Sequence, residues 1–232
     1  MTTVPTDTRA RRREAKHAQI LAAAWRLAHQ EGLAGISLRE LAKLVDLRQP
    51  SLYAYFESKH DLYDAMFAEG NRQLIATMAS QELDADPRRA TVQFVRLSVQ
   101  FATDDPVRFQ LLWQRPIPGF EPSAESYALA VEFYEVAREL LGAAGVTDPG
   151  DFDVFTALVA GLADQQVAND PGGDRWVRHA ERAVEMFFAD VDRRRRAMNR
   201  AARAHTEAAN PTPGRTTGRT TGRTTGRTGG RS

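Results

Sequence analysis

The sequence predicts an all-α fold. Apolar residues recur at i, i+3, i+4 and i+7 through most of the chain, which is the signature of amphipathic helices. No useful stretch alternates apolar and polar residues as a strand would. Pro87 and Pro106 stand where helices would begin, a first-turn position that tolerates proline.

The elements follow in order. Ile20, Leu21, Ala24, Leu27 and Ala28 share one face of a helix from about Arg9 to Gln30, stopped by Gly32. Ser37 opens "SLRE", a capping box in which Glu40 is placed to reach back to the Ser37 N–H. Leu38, Leu41, Ala42 and Val45 continue that second helix. Asp46, which tolerates left-handed backbone better than most residues, is expected to end it. A turn over Asp46–Arg48 leads to a short helix from about Gln49 to Phe56, and Ser58 is placed to cap the next one. Segments 87–103, 106–114, 123–142, 151–169 and 174–198 all show helical spacing.

Composition narrows the function. The chain has 232 residues and no cysteine, so disulfides, thiolate metal sites and cysteine nucleophiles are excluded. No apolar run approaches the roughly 18 residues of a membrane span, and no signal-peptide core is seen. The expectation is a soluble, cytoplasmic protein. The net charge of +1 conceals a segregation: residues 1–70 carry 10 Lys/Arg and 9 Asp/Glu, residues 71–192 carry 10 and 20, and residues 193–232 carry 11 Arg and the single Glu207. Basic ends around an acidic middle suggest a polyanionic partner. Arg9, Arg11, Arg12, Arg13 and Lys16 crowd the head, and Arg9–Arg13 read as a flexible basic arm able to touch a nucleic-acid backbone. The closing Gly-Arg-Thr repeats have nothing apolar to bury, so about 205–232 are expected to be disordered, with Arg193–Arg196, Arg200 and Arg203 extending the last helix.

The stretch Leu38–Met66, "LRELAKLVDLRQPSLYAYFESKHDLYDAM", holds the chemistry. At about 100° per residue, Leu52 and Phe56 share the buried face of its short helix. Pro50, Ser51 and Ala54 fall on the opposite face, with Tyr53 and Tyr55 at its edges. Small outward residues let a helix approach a surface closely, and phenols at the edges can donate to oxygens. Helix, short turn and short helix form a helix-turn-helix, whose second helix enters the DNA major groove. Lys59 begins the following helix, where N–H groups and a lysine suit a phosphate; Ser37 begins the second helix in the same way.

Residues 12–66, through "GLAGISLRELAKLVDLRQPSLYAYF" and Lys59, resemble the N-terminal domain of the TetR family of transcriptional regulators. Asp46 stands where that family usually has Gly, and Arg48 where it often has Ser or Thr. The resemblance implies that Arg48, Gln49, Pro50, Ser51 and Ala54 face base edges, while Tyr53, Tyr55, Lys59 and Ser37 contact phosphates. It also implies three regions: a helix-turn-helix domain over 1–70, a helical ligand-binding and dimerisation domain over 71–198, and a disordered Arg/Thr/Gly-rich tail over 199–232.

Within the middle region the aromatic load is high, and most of it reads as core. Ligand sites between helices are mainly apolar with a few polar groups. The loop "WQRPIPGFEP" is a plausible pocket lip, and Phe101, Phe109, Trp113, Phe120 and Tyr127, with Gln110, Arg115, Gln165 and Gln166 as polar contacts, are the candidate effector site. Ala157, Ala160, Gly161 and Asp164 give one helix a small-residue face, and Val177, Ala180, Val184, Phe187 and Phe188 line the last. In the family this C-terminal pair dimerises, so these nine residues are the expected homodimer interface.

The reading is a ligand-responsive dimeric regulator, a repressor released from a double-stranded, palindromic DNA operator by a small apolar or aromatic effector. An activator of the same fold is the alternative. An enzyme is not expected, because no nucleophile–base–acid set, phosphate-cradling glycine loop or metal cluster is legible, and no cofactor is implied. A sequence-independent DNA-coating protein fits poorly with one compact helix-turn-helix and an acidic middle.

Overall fold

A computed structural model of the chain describes residues 6–209, with side chains from Thr8 to Thr206. Among these residues there are nine α-helices and no strand, as the periodicity predicts: α1 Thr6–Gly35, α2 Leu38–Leu44, α3 Gln49–Leu52, α4 Lys59–Ala79, α5 Pro87–Asp104, α6 Pro106–Trp113, α7 Ala124–Ala143, α8 Pro149–Asn169 and α9 Ala180–Ala209. A single 3₁₀ turn, Val177–His179, precedes α9. The chain divides into two units at Val191/Asp192.

Asp-Pro pairs start three of the helices. Asp86 accepts from the Arg88 and Arg89 N–H groups at 3.1 and 3.0 Å, Asp105 from Arg108 at 2.9 Å, and Asp148 from Gly150 at 2.8 Å. In each case the aspartate meets N–H groups that no intrahelical carbonyl reaches, and the proline sets the first helical φ. Gly32, at φ 73°, breaks α1 where the sequence predicts a stop.

The first unit contains two apolar cores. One joins α1 to α4 through Ile20, Ala24, Leu41, Leu52, Phe56 and Met66, with Leu111 of α6. The other joins α5, α7, α8 and the start of α9 through Phe94, Val99, Phe133, Phe155, Val184 and Phe188. Helix α4 contributes to both, since Leu62 and Met66 lie in the first and Leu74 and Met78 in the second. It runs unbroken through residue 70, so the expected DNA-binding and effector regions share one helix. At Gly70 a Cβ would stand 3.1 Å from Leu112 Cδ2, so the glycine lets α6 close on α4.

Three sequence expectations are corrected here. Arg9–Arg13 lie within α1 and form no separate arm. The final helix reaches Ala209, so 199–209, assigned to the tail, are helical; 210–232 lie outside the described residues. The short helix ends at Leu52 rather than Phe56, because Tyr53–Tyr55 tighten into turns: Tyr55 N–H donates to Leu52 O at 2.9 Å, three residues back, before Phe56 N–H restores the four-residue bond at 3.1 Å.

The turn between α2 and α3 is a Schellman motif. Asp46, at φ 54°, donates its N–H to Lys43 O at 3.2 Å, and Leu47 donates to Ala42 O at 2.9 Å. Leu47 packs back on the first core. The sequence expectation that Asp46 adopts left-handed backbone holds. Because that conformation strains any residue with a Cβ, Asp46→Gly is expected to stabilise the protein by up to about 1 kcal/mol, raising Tm by roughly 2–4 °C. Asp46→Val is expected to lower Tm, and thermal melts of both variants check the pair. A lower Tm for the glycine variant would count against strain at this position.

Candidate nucleic-acid interface and the cavity behind it

The predicted outward face is exposed. Leu52 and Phe56 are 1% and 3% exposed, while Arg48, Gln49, Pro50, Ser51, Tyr53 and Ala54 all face solvent. Tyr55 departs from the prediction of an edge donor. It is half-buried against the first core, and the Arg13 guanidinium lies 5.8 Å from its ring centre. Ser37 is occupied as the N-cap of α2, its Oγ accepting from Glu40 N–H at 3.4 Å.

Basic residues of α1 brace the motif. Backbone N–H groups of the following turns cap Ala42, Lys43 and Leu52, and side chains of α1 reach carbonyls just beyond the two short helices. Lys16 Nζ donates to Val45 O at 2.9 Å, and Arg13 Nη2 donates to Ala54 O at 3.3 Å. Cations at these C-termini also oppose the helix dipole. The sequence reading missed this bracing role. The signal available was their spacing: Arg13, Lys16 and Ile20 sit three and four residues apart, on the face turned toward the helix-turn-helix.

Lys59 is placed differently from its sequence assignment. Its ammonium donates to Ala34 O at 2.8 Å, beyond the break in α1, and lies 5.5 Å from the Tyr63 ring centre. Burial lowers its pKa. Tyr63 OH donates to the neighbouring carbonyl of Leu33 at 2.6 Å, and burial pushes that phenol up to about 12. Lys59 is thus a structural cap that keeps two further donors to offer. The Ser58 cap is as predicted, with Asp61 N–H donating to Ser58 Oγ at 3.0 Å.

The expected effector residues scatter. Trp113 lines an apolar cavity of about 40 Å³ with Phe94, Phe133, Tyr134, Phe155 and Val159. Phe109 is buried beside it, edge-on to Trp113 at 5.3 Å, and Phe101 packs on the second core. Gln110, Arg115, Tyr127 and Gln165 are exposed. Phe120 belongs to the first core, 5.7 Å from the Tyr63 ring centre. Gln166, fully buried, spends its side chain on the loop before α9, where its oxygen accepts from Trp176 N–H at 2.7 Å. The loop Trp113–Pro122 therefore splits its aromatic residues between two cores. Periodicity could not show which rings face one another, since that depends on how α5, α7 and α8 cross.

The interface residues are corrected likewise. Ala180, Val184, Phe187 and Phe188 are buried in the chain's own second core, and Val177 packs on it. Ala160 lines the cavity, and Asp164 accepts from Gln114 Nε2. Ala157 and Gly161 remain exposed, beside Val154. A Cβ at Gly161 would meet nothing within 4 Å among the described residues.

Side-chain bonds tie the two cores together. Asp64 of α4 accepts from Ser123 N–H, Ser123 Oγ and Ser126 Oγ at 2.7, 2.9 and 2.8 Å, at the start of α7. Trp25 Nε1 of α1 donates to Glu69 of α4 at 2.7 Å, and the Arg108 guanidinium of α6 covers the same indole at 4.8 Å. His29 Nε2 lies 2.9 Å from Asp105, the cap of α6.

Residues 20–66, the span that forms the helix-turn-helix, match the model described as bacterial regulatory proteins, tetR family. These residues form a TetR-family domain. The HTH-type transcriptional regulator Rv1816 of Mycobacterium tuberculosis (strain ATCC 25618 / H37Rv) is 27% identical over 154 residues, covering 65% of this chain and 59% of that protein. The chain thus spans 59% of that relative's length. Among solved structures, the TetR-family regulator PfmR of Thermus thermophilus superposes with a TM-score of 0.56 at 20% identity, covering 73% of this chain and 96% of that one. AibR, solved with isovaleryl coenzyme A and operator DNA, gives 0.55 at 21%, covering 74% and 97%. At these identities the likeness is one of fold, and the fold is that of TetR-family regulators. No group of metal-binding side chains occurs among the described residues, and no described helix is long and apolar enough to cross a membrane.

His17, packed on Phe56 of the first core, adds a pH dependence to stability. Its ring lies 4.9 Å from that of Phe56, and burial first, then the charges of Arg13 and Arg72, lower its pKa. The unfolded chain therefore binds a proton that the folded chain resists, and stability falls as pH drops from about 7 to 5. His17→Gln is expected to flatten the dependence of Tm on pH over that range. An unchanged slope in melts across the range would remove His17 as its source.

Proposed function

We propose that the protein is a DNA-binding transcriptional regulator that acts as a homodimer on a palindromic operator and is released by a small apolar or aromatic effector. The observation that carries the reading is the exposed face of α3. It presents Gln49, Pro50, Ser51 and Ala54 outward over a fully buried Leu52 and Phe56, within a TetR-family domain. A helix so anchored inserts small side chains against base edges in the major groove. Arg48 and Tyr53 flank that face and reach phosphates, and Lys59 joins them through the donors that Ala34 leaves unused. Solved structures of the same fold include AibR, in complex with an acyl coenzyme A and operator DNA, which supports both ligand classes here.

The aromatic cavity is the effector site under this reading. About 40 Å³ is far below the roughly 300–1,000 Å³ of ordinary ligand pockets, so an effector must part Trp113 from Phe133 and Tyr134 to enter. Those rings sit on α6 and α7, whose first turns are bonded to α1 and α4 through Asp105–His29, Arg108–Trp25 and Ser123–Asp64. Entry thus shifts the helices that hold α3, and operator affinity falls by the coupling free energy, typically about 1–3 kcal/mol. The homodimer forms through the exposed face of α8, at Val154, Ala157 and Gly161. A mid-helix glycine costs about 0.5–1 kcal/mol against alanine, and at Gly161 no close approach among the described residues offsets that.

Two substitutions test the reading. Ala54→Trp is expected to abolish or redirect sequence preference in gel shifts against selected and random duplexes, with Tm within a few degrees of the parent. Intact preference would mean that α3 does not read bases. Gly161→Leu is expected to shift sedimentation toward monomer and to weaken operator binding, since one α3 contacts only half a two-fold site. A dimer that persists with the leucine would place the interface elsewhere.

A further inference from the structure

The second unit carries a feature that the reading above does not use. Arg193, Arg196, Arg200 and Arg203 fall at i, i+3, i+7 and i+10 on α9. At 3.6 residues per turn they share an arc of about 80° and run for about 15 Å along the helix. All four are exposed. Arg195 is paired with Asp192 at 3.0 Å. Arg196, Arg200 and Arg203 have no carboxylate partner among the described residues. Glu207 is the single acid from 193 to the end of the sequence, against 11 arginines, and five of those recur in the Gly-Arg-Thr repeats beyond the described residues.

Such a stripe is unfavourable on its own. Like charges three and four residues apart on a helix repel one another, and exposed arginine gains little burial in return. A polyanion reverses the sign of each of those terms. The stripe places about one charge per 5 Å of helix axis on a single face, where a duplex offers phosphates at about 3.4 Å per strand. Guanidinium groups also bind phosphate oxygens in a fork that lysine lacks.

The geometry points to a second nucleic-acid contact in this chain: the Arg196, Arg200 and Arg203 face of α9 binds the phosphate backbone of duplex DNA without regard to sequence. The choice of DNA over other polyanions rests on the reading of the chain as a DNA-binding regulator. The contact is distinct from α3, which offers small side chains and reads bases. Its role is to hold the protein on any DNA and raise its local concentration there, as backbone contacts do for proteins that slide along a duplex.

The test compares the full chain with its Arg196→Gln/Arg200→Gln/Arg203→Gln variant on a labelled 30-bp random-sequence duplex, by fluorescence anisotropy from about 50 to 200 mM salt. Loss of three phosphate contacts is expected to lower the slope of log K against log salt by about 2–3 units and to raise Kd roughly tenfold or more. The single Arg200→Gln variant is expected to lower the slope by about one unit, which keeps the test open if the triple variant loses helix by circular dichroism. Unchanged slopes overturn the proposal. So does reduced binding to phosphatidylglycerol vesicles with the DNA slope intact, which would make the partner a membrane. A changed Tm or sedimentation coefficient with the DNA slope intact overturns it too, because the arginines would then pair with acidic protein surface. The random duplex separates this result from the regulator reading: a protein that prefers no operator yet shows the steep, arginine-dependent slope refutes the regulator and keeps the stripe.

Discussion

Unpaired carbonyls at the ends of short helices are the constraint on which the rest of the structure depends. Helices of seven and four residues, as in α2 and α3, leave most of their last-turn C=O groups without an intrahelical partner. Neither helix would persist alone in water. Donors from elsewhere supply the bonds: Asp46 and Leu47 N–H cap α2, and Lys16 and Arg13 of α1 reach Val45 and Ala54 just beyond the two short helices, while Lys59 and Tyr63 of α4 cap the end of α1 at Ala34 and Leu33. The position of α3 is therefore set by α1 and α4 as much as by its own sequence. Any force that tilts α1 or α4 moves the face that α3 presents.

This gives the bridges around α6 and α7 their meaning. Trp25 is bonded to α4 and covered by α6, so three helices meet at one indole. Gly70 allows the approach that makes this possible, and a larger residue there would press on Leu112. Asp64 fixes the start of α7 to the middle of the first core with three hydrogen bonds. The two apolar cores are thus connected by polar contacts with defined directions.

Much of the fold was legible in the sequence, and the reasons are local. Asp-Pro pairs, the Ser37 and Ser58 caps, the Gly32 break and the left-handed Asp46 each depend on a few consecutive residues, so reading them needs no tertiary information. The buried pair Leu52 and Phe56 followed from helical angle alone. The resemblance to a known family supplied the helix-turn-helix as a functional unit. What failed depends on helix crossing. Phe187 and Phe188 form an apolar stripe that suits a partner subunit or the chain's own core equally well, and only the packing of α9 on α5 and α8 decides. Phe120 and Trp113, seven residues apart in one loop, reach different cores. The capping by Lys59 and Arg13 was not legible, because a lone sequence does not show which carbonyls need a donor.

The tightness of the aromatic cavity has a kinetic consequence. An effector too large for about 40 Å³ would enter only when the lining rings part, so its apparent affinity would be scaled down by the fraction of molecules in which they are apart. Its association rate would then stop rising with concentration once parting of the rings became slower than encounter. Trp113 stands at that threshold, 6.1 Å from Phe133 and 5.3 Å from Phe109. Under the proposed function, its rearrangement rather than diffusion would set how quickly an effector could take the space.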